Sequence, residues 1–337
     1  MARDERDTLS VDSDDRQRLI ARRPALEARA RVLSAVRRWF EGEGFLDVDT
    51  PARVRAPGQE VHLDALPSGD RWLITSPEYA MKRLCGAGYE KIVSIGKCWR
   101  ADERGPHHEP EFTMIEWYRA NAPLDTIAAD CESLIRVAVT AAGSAADAAF
   151  AATAGKVFTR TTVRDVIHRF AGVDLVGDEP LDVLATKVRA AGVDPGSAGN
   201  WDDLFFQLWL DRVEPHLPTL GPTFIFDWPT PLGALARRHP TNPHVVERFE
   251  LYAEGLELAN AFGELTDPVE QRARFLSEST TRRALNKAVY PLDEALLAAL
   301  PTMPPTSGIA LGFDRLLMLT LGLPQIRQVQ AFSSDEI

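Results

Sequence analysis

The sequence predicts an α+β domain built on an antiparallel β-sheet that helices flank. Two β-hairpins and one helix-rich stretch carry this prediction. The first hairpin joins the strands IVSIGKCWR and EFTMIEWYR across the polar loop DERGPHHEP, and the second lies within residues 246–266. Residues 122–220 are rich in alanine and read as helical, with little site-like chemistry. We therefore expect a helical insertion over about 122–220, packed on the core.

The remaining elements follow in chain order. Residues 1–22 are polar and charged, and we expect a disordered tail there. Pro24 opens an amphipathic helix that ends at Gly42 and Gly44, so the domain is placed at 23–337. FLDVDTPARV alternates like a strand, residues 222–232 give another strand, and residues 268–300 look helical. SGIALGFDRLLML reads as a strand that turns through glycine into an apolar helix.

Composition excludes several classes of protein. The chain has 337 residues, 45% of them hydrophobic and 26% charged, which is usual for a globular protein. It contains no apolar run of the roughly 20 residues that a membrane span needs, and no secretory signal, so we expect a cytoplasmic protein without membrane contact. The three cysteines form no C-x-x-C pair, which argues against a zinc site. A net charge of -11 disfavours a large nucleic-acid footprint and leaves room for a basic protein partner.

The first hairpin presents an unusual set of side chains on one face. Because strand residues alternate between faces, every second residue from Phe112 onwards points to the same face. These residues are Phe112, Met114, Glu116 and Tyr118. They suit the wall of a pocket, in which Phe112 stacks on a flat base and the polar groups hold an ammonium. Arg100 lies at the mouth of the loop opposite His108, and arginine binds phosphate oxygens well. A solvated hairpin with ordinary surface charges is the alternative.

The second hairpin carries two carboxylates. If Glu254-Gly255 forms a two-residue turn, the strand register follows from it. The predicted cross-strand pairs are Tyr252 with Glu257 and Glu250 with Ala259. Glu250 and Glu257 then lie diagonally on one face and repel each other unless a cation lies between them. Mg²⁺ on a nucleotide phosphate would satisfy both, since it prefers one or two carboxylates plus phosphate oxygens. Two exposed glutamates at a hairpin edge are the alternative.

The C-terminal segment combines glycines with a charged helix start, in the pattern Gly308-x-x-x-Gly312-x-Asp314-Arg315. Glycine lets a backbone approach a ligand closely, and a helix N-terminus attracts anions. Arg315 adds a fixed positive charge in the first turn. This end could hold the outer phosphate and the adenine-ribose edge of ATP. A glycine turn with a capping aspartate is the alternative.

Taken together, these segments resemble the class II aminoacyl-tRNA synthetases in their lysyl form. WRADERGPHHEPEFTMIEWY is similar to motif 2 of that family, and SGIALGFDRLLML to motif 3. GFLDVDTPARV resembles motif 1, which builds the dimer interface in the family, and TSPEYAMKRL resembles the lysyl-type substrate segment. The resemblance runs from about residue 24 to the C-terminus. It implies a class II synthetase catalytic core and a homodimer.

The short region before the catalytic helix distinguishes between subgroups of this family. Lysyl-tRNA synthetases carry an N-terminal domain that reads the anticodon, whereas only about two dozen residues precede the first catalytic helix here. The layout resembles the elongation factor P lysine ligases, truncated paralogues that activate (R)-β-lysine, or less well lysine, as the adenylate. They transfer the acyl group to a lysine side chain of elongation factor P. Ala310 agrees, because tRNA-charging relatives usually carry glycine there. The resemblance implies ATP, Mg²⁺ and elongation factor P as the acceptor.

The same resemblance implies roles for individual residues. Arg100 and Arg315 are the catalytic candidates: Arg100 would contact the α-phosphate, and Arg315 would face adenine across from Phe112. Glu250 and Glu257 would hold Mg²⁺. The implied ATP-binding residues are Arg100, Asp102, His108, Glu109, Phe112, Glu250, Leu251, Gly312 and Arg315. The implied substrate-binding residues are Ser76, Pro77, Glu78, Glu116, Tyr118, Glu257, Asn260, Glu264 and Ala310.

Three positions depart from the family pattern. Asp102 stands where glutamate is usual, Glu109 where asparagine is usual, and His107 replaces a residue that is commonly aromatic or basic. These changes leave open a ligase for another amino acid that serves a carrier protein or small-molecule acceptor. A non-catalytic regulatory paralogue is a third reading. Loss of Arg100, Arg315 or either glutamate of the second hairpin would have favoured it, and all four are present.

Overall fold

The computed structural model describes residues 5–196 and 198–336 of the chain. Within that part, eleven strands form a large sheet of eight and a small sheet of three. The strands are β1 Leu46–Asp47, β2 Arg53–Val54, β3 Pro67–Ser68, β4 Arg71–Leu73, β5 Lys91–Trp99, β6 Glu111–Ala120, β7 Thr159–Thr162, β8 Thr223–Pro229, β9 Val245–Ala253, β10 Leu256–Gly263 and β11 Thr306–Gly312.

The large sheet has the order β1-β5-β6-β11-β10-β9-β8-β7. Its central neighbours, from β5 to β8, are all antiparallel. Only its edges are parallel, where β1 pairs with β5 and β7 with β8. Parallel neighbours need long crossover connections, and both edge pairs have helices between their strands. The predicted α+β fold on an antiparallel sheet is confirmed.

Ten α-helices of the described residues surround this sheet. They are α1 Glu5–Gly42, α2 Glu78–Gly86, α3 Leu124–Ala142, α4 Ala148–Ala154, α5 Val163–Ala171, α6 Leu181–Ala190, α7 Trp201–Leu208, α8 Pro268–Ala284, α9 Glu294–Ala299 and α10 Phe313–Thr320. None of the helices in the described ranges is both long and apolar enough to cross a membrane. Both predicted hairpins are present, as β5–β6 and β9–β10.

The first helix is longer than the sequence pattern predicted. It begins at Glu5 and contains Pro24, whereas we expected a disordered tail up to residue 22. Arg22 donates to the Glu336 carboxylate at 2.6 and 2.7 Å, which joins this part of the helix to the C-terminal segment. The tail prediction is therefore wrong for the stretch from Glu5 to Arg22, and residues 1–4 lie outside the described part. The predicted end at Gly42 is confirmed.

The helix-rich stretch packs in two places. Leu134 on α3 shares one buried cluster with Phe40 on α1 and Trp117 on β6, so α3 belongs to the main core. Helices α5 to α7 form a second cluster with β8 and β9, in which Phe205 packs against Trp228 at 5.9 Å between ring centroids. The strand β7 inside this stretch was not predicted. Its sequence TRTT contains three β-branched threonines, which favour a strand at a sheet edge.

The faces of β6 explain where the site forms. Ile115 and Trp117 are fully buried in the main core, on the face that α1 and α3 cover. The residues between them, Met114, Glu116 and Tyr118, point to the opposite face. The predicted alternation is therefore confirmed, and it places polar groups above the centre of the large sheet.

Candidate active site

A cavity of about 540 Å³ lies on the face of the large sheet opposite α1 and α3. It brings together residues from the segments that resembled motif 2, motif 3 and the lysyl-type substrate segment, whereas the segment that resembled motif 1 contributes none of its described residues. The predicted site residues that line it are Ser76, Glu78, Arg100, His108, Glu109, Phe112, Glu116, Tyr118, Glu250, Glu257, Asn260, Glu264, Ala310, Gly312 and Arg315. Strands β6, β11, β10 and β9 are consecutive in the sheet, and this neighbourhood is what gathers residues that lie far apart in the chain.

Three predicted site residues do not line this cavity. Asp102 is exposed at the turn after β5, where its φ of 62° suits a left-handed turn position. Pro77 caps the N-terminus of α2. The Leu251 side chain is fully buried in the main core, because it alternates with Glu250 on β9 and points through the sheet. The structure thus gives their side chains positions other than the predicted ones.

The β9–β10 hairpin has the predicted turn but a different register beyond it. Glu254 and Gly255 have φ values of 50° and 80°, the left-handed pair that a type I′ turn requires. Tyr252 pairs with Glu257 as predicted, but Glu250 pairs with Asn260, so the prediction of Ala259 is wrong.

A β-bulge between Glu257 and Ala259 causes this shift. Under strict alternation, Glu257 and Asn260 would face opposite sides of the sheet. One extra residue in the bulged strand restores the same face to both. Glu257 and Asn260 therefore line the cavity together with Glu250.

Glu250 and Glu257 form the acidic pair that the sequence predicted. Glu250 is 5% exposed, and it accepts hydrogen bonds from Arg248 at 2.5 Å and from the Tyr252 hydroxyl at 2.6 Å. Burial, and then the charge of Glu257, raise the pKa of Glu250 to about 7. Two repelling carboxylates, one of them buried, fit a divalent cation that also binds phosphate oxygens. Sequence reasoning missed Arg248, which also donates to Asn260 at 3.1 Å.

Two arginines stand at the same end of the cavity. Arg315 is held in place by the carbonyl oxygens of Glu257 at 2.8 Å and His107 at 3.2 Å, and it also donates to His108 Nε2. Burial and Arg315 lower the pKa of His108, so its imidazole is neutral and accepts this bond. The Arg100 guanidinium lies 5.1 Å from the centre of the Phe112 ring, and its Nε has no hydrogen-bond partner. Arg100 contacts Glu103 at 3.4 Å and keeps its Nε donor for an anion, whereas each nitrogen of Arg315 already donates within the protein and only the second N–H of each terminal nitrogen remains.

Asp314, next to Arg315, connects this end of the cavity to α1 and β6. Gly312 is the N-cap of α10 and makes no side-chain capping bond, so Asp314 does not serve as the cap. Its buried carboxylate instead accepts from the backbone N–H of Thr113 on β6 at 2.7 Å and from Arg29 on α1. One carboxylate thereby joins α1, β6 and the helix that carries Arg315.

The structure accounts for the unusual negative charge of Glu109. Its carboxylate accepts from the backbone N–H of Ser334 at 3.1 Å and from the Ser334 hydroxyl at 2.7 Å. Arg104 of the same loop donates to Asp335 at 2.8 Å. Glu109 therefore fixes the loop between β5 and β6 to the C-terminal segment, while it also lines the cavity.

The other end of the cavity concentrates buried acids. Glu116 accepts from Ser76 at 2.6 Å and from the Tyr118 hydroxyl at 2.7 Å. Burial, and then Glu78, raise its pKa to about 8. Burial likewise raises the pKa of Glu264 to about 7, although Lys82 acts against it.

Lys82 is the buried cation of this group, and sequence reasoning missed its role. Its Nζ lies 2.6 Å from both Glu78 and Glu264. Burial alone would lower the pKa of Lys82, but these two carboxylates outweigh it and raise the pKa. Three acids against one lysine leave this end negative. Such a site suits a ligand with more than one ammonium group.

Comparison with known proteins agrees with this geometry. Residues 17–336 match the family model described as tRNA synthetases class II (D, K and N). The elongation factor P--(R)-beta-lysine ligase of Proteus mirabilis is 36% identical over 317 residues, covering 90% of this chain and 93% of that protein. Ligases of the same name from Edwardsiella ictaluri and Vibrio cholerae are 36% and 34% identical, each over 91% of this chain and 94% of the relative. The chain therefore belongs to the class II tRNA synthetase family and, within it, to the elongation factor P--(R)-beta-lysine ligases.

Proposed function

We propose that this enzyme activates (R)-β-lysine or lysine with ATP as the aminoacyl-adenylate and transfers the acyl group to a lysine side chain of elongation factor P. One observation carries the proposal: a single cavity holds Arg100 and Arg315 at one end and three acids at the other, of which Glu116 and Glu264 are buried and Glu78 is partly exposed. The first end suits a triphosphate and the second a diamino acid. The names of the relatives supply the acceptor.

The residues at the phosphate end would position the reacting groups. Arg100 would bind the α-phosphate oxygens and stabilise the charge that develops as the substrate carboxylate attacks the α-phosphorus. Arg315, already fixed by Glu257 and His107, would hold the far part of the nucleotide. Glu250 and Glu257 would hold Mg²⁺, which supplies positive charge to the phosphates. Little acid–base chemistry is needed for this step, so positioning dominates.

The residues at the acidic end would select the amino acid. Glu116 and Tyr118 already form a hydrogen-bonded pair, and Glu264 and Glu78 share Lys82. Each free carboxylate oxygen accepts an ammonium proton, and a second ammonium on the substrate would satisfy the remaining charge. A neutral side chain would leave the excess negative charge of three acids over the positive charge of one lysine uncompensated, which disfavours its binding.

Amino-acid-dependent ATP–pyrophosphate exchange tests the proposal. A panel of lysine and both β-lysine enantiomers is expected to support exchange, with the (R)-β enantiomer the best. Arg100→Ala is expected to reduce the exchange rate by about 100-fold or more. Arg38→Ala, at an exposed position of α1, is the matched control. Absence of exchange with the whole panel by a folded sample would overturn the proposal.

Mass spectrometry of elongation factor P after incubation with ATP and the best amino acid tests the transfer. A mass increase equal to the acyl group on one lysine is the expected result. Exchange without modification of elongation factor P would instead favour a ligase that serves a carrier protein or small molecule.

The proposal also includes a cytoplasmic location for the enzyme and a homodimer. Leu46, in the segment that resembles motif 1, is 51% exposed, as a residue of a subunit interface would be in one subunit alone.

A further inference from the structure

A second cavity, of about 420 Å³, lies beside the first. The two cavities share part of their lining, which forms a wall between them. The wall residues are Glu60, Pro231, Ala234 and Glu278. Helix α8 lines the second cavity through Gln271 and Phe275 and reaches the wall at Glu278. The adenylation step needs nothing from this second cavity.

Gln271 is the least satisfied polar group in the second cavity. Its side chain is 1% exposed, yet neither its amide oxygen nor its amide nitrogen has a hydrogen-bond partner among the described residues. A buried amide without partners costs about 1–3 kcal/mol. One donor and one acceptor side by side match a backbone peptide group. Phe275, one helical turn further on α8, gives the same cavity an apolar surface.

Glu60 in the wall presents a second unpaired group. Its buried Oε2 finds no partner in the part of the chain that the structure describes, and a Cβ atom at position 58 would lie 2.7 Å from it. The charged and titratable groups that face Glu60 are Glu78, Glu278, Arg100 and the buried hydroxyl of Tyr79, and burial followed by Glu78 raises the pKa of Glu60 to about 7. Glu60 can therefore accept a proton near neutral pH.

The remaining charges of the second cavity also favour a cation. Asp178 and Glu278 line it together with Glu60, and Asp178 contacts His244 Nδ1 at 2.6 Å. Two arginines also line it, and both pair with Glu270, Arg274 at 2.7 Å and Arg238 at 3.5 Å. Among the described residues, Glu60 and Glu278 make no ion pair, so a primary ammonium entering beside the wall would meet these two carboxylates.

We propose that the second cavity admits the acceptor chain, whose lysine side chain passes the wall with its ammonium on Glu60. Gln271 pairs with a peptide group next to that lysine. This inference rests on the proposed function and adds the route and the groups that recognise the acceptor. It also separates the two substrates, because the amino acid to be activated occupies the acidic end of the first cavity.

The transfer step then balances as follows. The acceptor ammonium gives one proton to Glu60, and the neutral ε-amine attacks the carbonyl carbon of the adenylate. A carbon–nitrogen bond forms, and the bond from that carbon to the phosphate oxygen breaks with its electron pair going to AMP. The second proton leaves the nitrogen for the departing phosphate oxygen. The products are the amide and AMP.

Gln271→Leu tests the route, because Gln271 lines only the second cavity. Exchange is expected to stay within about twofold of the wild-type rate, whereas the KM for elongation factor P rises about tenfold. The melting temperature is expected to rise, because the variant removes an unpaired buried amide. If the amide instead had a structural role through bound water, its replacement would lower the melting temperature. Gln207→Leu is the matched control, because the Gln207 amide oxygen is also buried without a partner but lies outside both cavities.

Glu60→Gln tests the proton acceptor. The ratio of transfer rate to exchange rate is expected to fall about 100-fold at saturating elongation factor P. Hydroxylamine is neutral and needs no base, so its reaction with the bound adenylate is expected to follow the exchange rate. This inference alone would be overturned if the ratio of transfer rate to exchange rate stayed at the wild-type value in both Gln271→Leu and Glu60→Gln. It would also be overturned if the reaction of the adenylate with hydroxylamine fell in Glu60→Gln as much as the transfer to elongation factor P. Lack of exchange by the wild-type enzyme would overturn the proposed function as well.

Discussion

Gly308 lies where Tyr118 and Glu264 leave no room for a side chain. A Cβ atom there would lie 2.3 Å from a ring carbon of Tyr118 and 2.6 Å from Glu264 Oε1. Both neighbours belong to the acidic end of the cavity, so any larger residue must displace the groups proposed to read the substrate. The constraint is therefore steric, and it acts on substrate recognition as well as on packing.

Gly308→Ala is expected to raise the KM for the amino acid about tenfold or more and to lower the free energy of unfolding by about 1–3 kcal/mol. Exchange kinetics and urea denaturation measure the two effects. Gly96→Ala on β5 is the matched control, because a Cβ atom there meets nothing within 4 Å. A KM equal to that of the Gly96 variant would contradict the argument.

Individual site residues could be predicted where one segment supplies the whole pattern. Glu116 and Tyr118 follow from alternation along a single strand. Lys82 and Arg248 could not be predicted, although both are in segments of recognisable pattern. Their roles depend on partners outside any local pattern: Lys82 meets Glu264, which is 182 residues later in the chain. Only the fold brings such charges within contact distance.

At the scale of the elements, helix α1, strand β6 and helix α10 meet at the Asp314 carboxylate. It accepts from Arg29 on α1 and from the Thr113 backbone on β6, while Arg29 also donates to the Thr113 hydroxyl at 2.7 Å. The helix that begins beside it carries Arg315. The position of one catalytic candidate therefore depends on contacts made by α1, which contributes no residue to the cavity.

Asp314→Ala is expected to lower the free energy of unfolding by about 3 kcal/mol, because it leaves Arg29 without its buried partner. The KM for ATP is expected to rise, since α10 loses its attachment to β6. Asp47→Ala is the control, because its pair with Arg37 is about half exposed and contributes less than about 1 kcal/mol. Equal losses of stability in the two variants, measured in urea, would refute this account.

The β9–β10 hairpin shows how far element prediction reaches. Glu254-Gly255 identifies the turn because only a left-handed pair fits it, and the first cross-strand pair follows. The bulge two residues later has no comparable signal, since Leu258 and Ala259 suit a regular strand equally well. Its consequence, that Glu257 and Asn260 both line the cavity, is visible only in the folded sheet.

For the molecule as a whole, the buried acids oppose folding at neutral pH. The pKa values of Glu60, Glu250 and Glu264 are raised to about 7 and that of Glu116 to about 8, from an ordinary 4.5. Between those values the folded chain binds more protons than the unfolded chain. The free energy of unfolding that these groups contribute therefore falls as pH rises from 4.5 to 8.

Glu116→Gln is expected to stabilise the free enzyme by about 1–2 kcal/mol at pH 8 and to have no such effect near pH 4. The reason is that only the ionised carboxylate is costly to bury. Urea denaturation at both pH values measures it, with exchange expected to be lost in the same variant. Equal stabilisation at both pH values would assign the effect to packing rather than to charge.

The extent of α1 is the part of the whole molecule that sequence reasoning missed most. Residues before Pro24 are too polar to predict a packed element, and proline usually marks a helix start. The partner of Arg22 is Glu336, more than three hundred residues away, so no local pattern reveals the contact. The sheet, by contrast, was predictable because its hairpins are local.

The three acids at the substrate end of the cavity, Glu78, Glu116 and Glu264, also bear on how long the enzyme survives in a cell. Ligands that bind only the folded state stabilise it by mass action, and a diamino acid would neutralise the charges that oppose folding. A small loss of stability changes protein abundance severalfold through proteolysis. Cells poor in that diamino acid would hold less of the enzyme, so nutrient supply would set its half-life without any dedicated regulator.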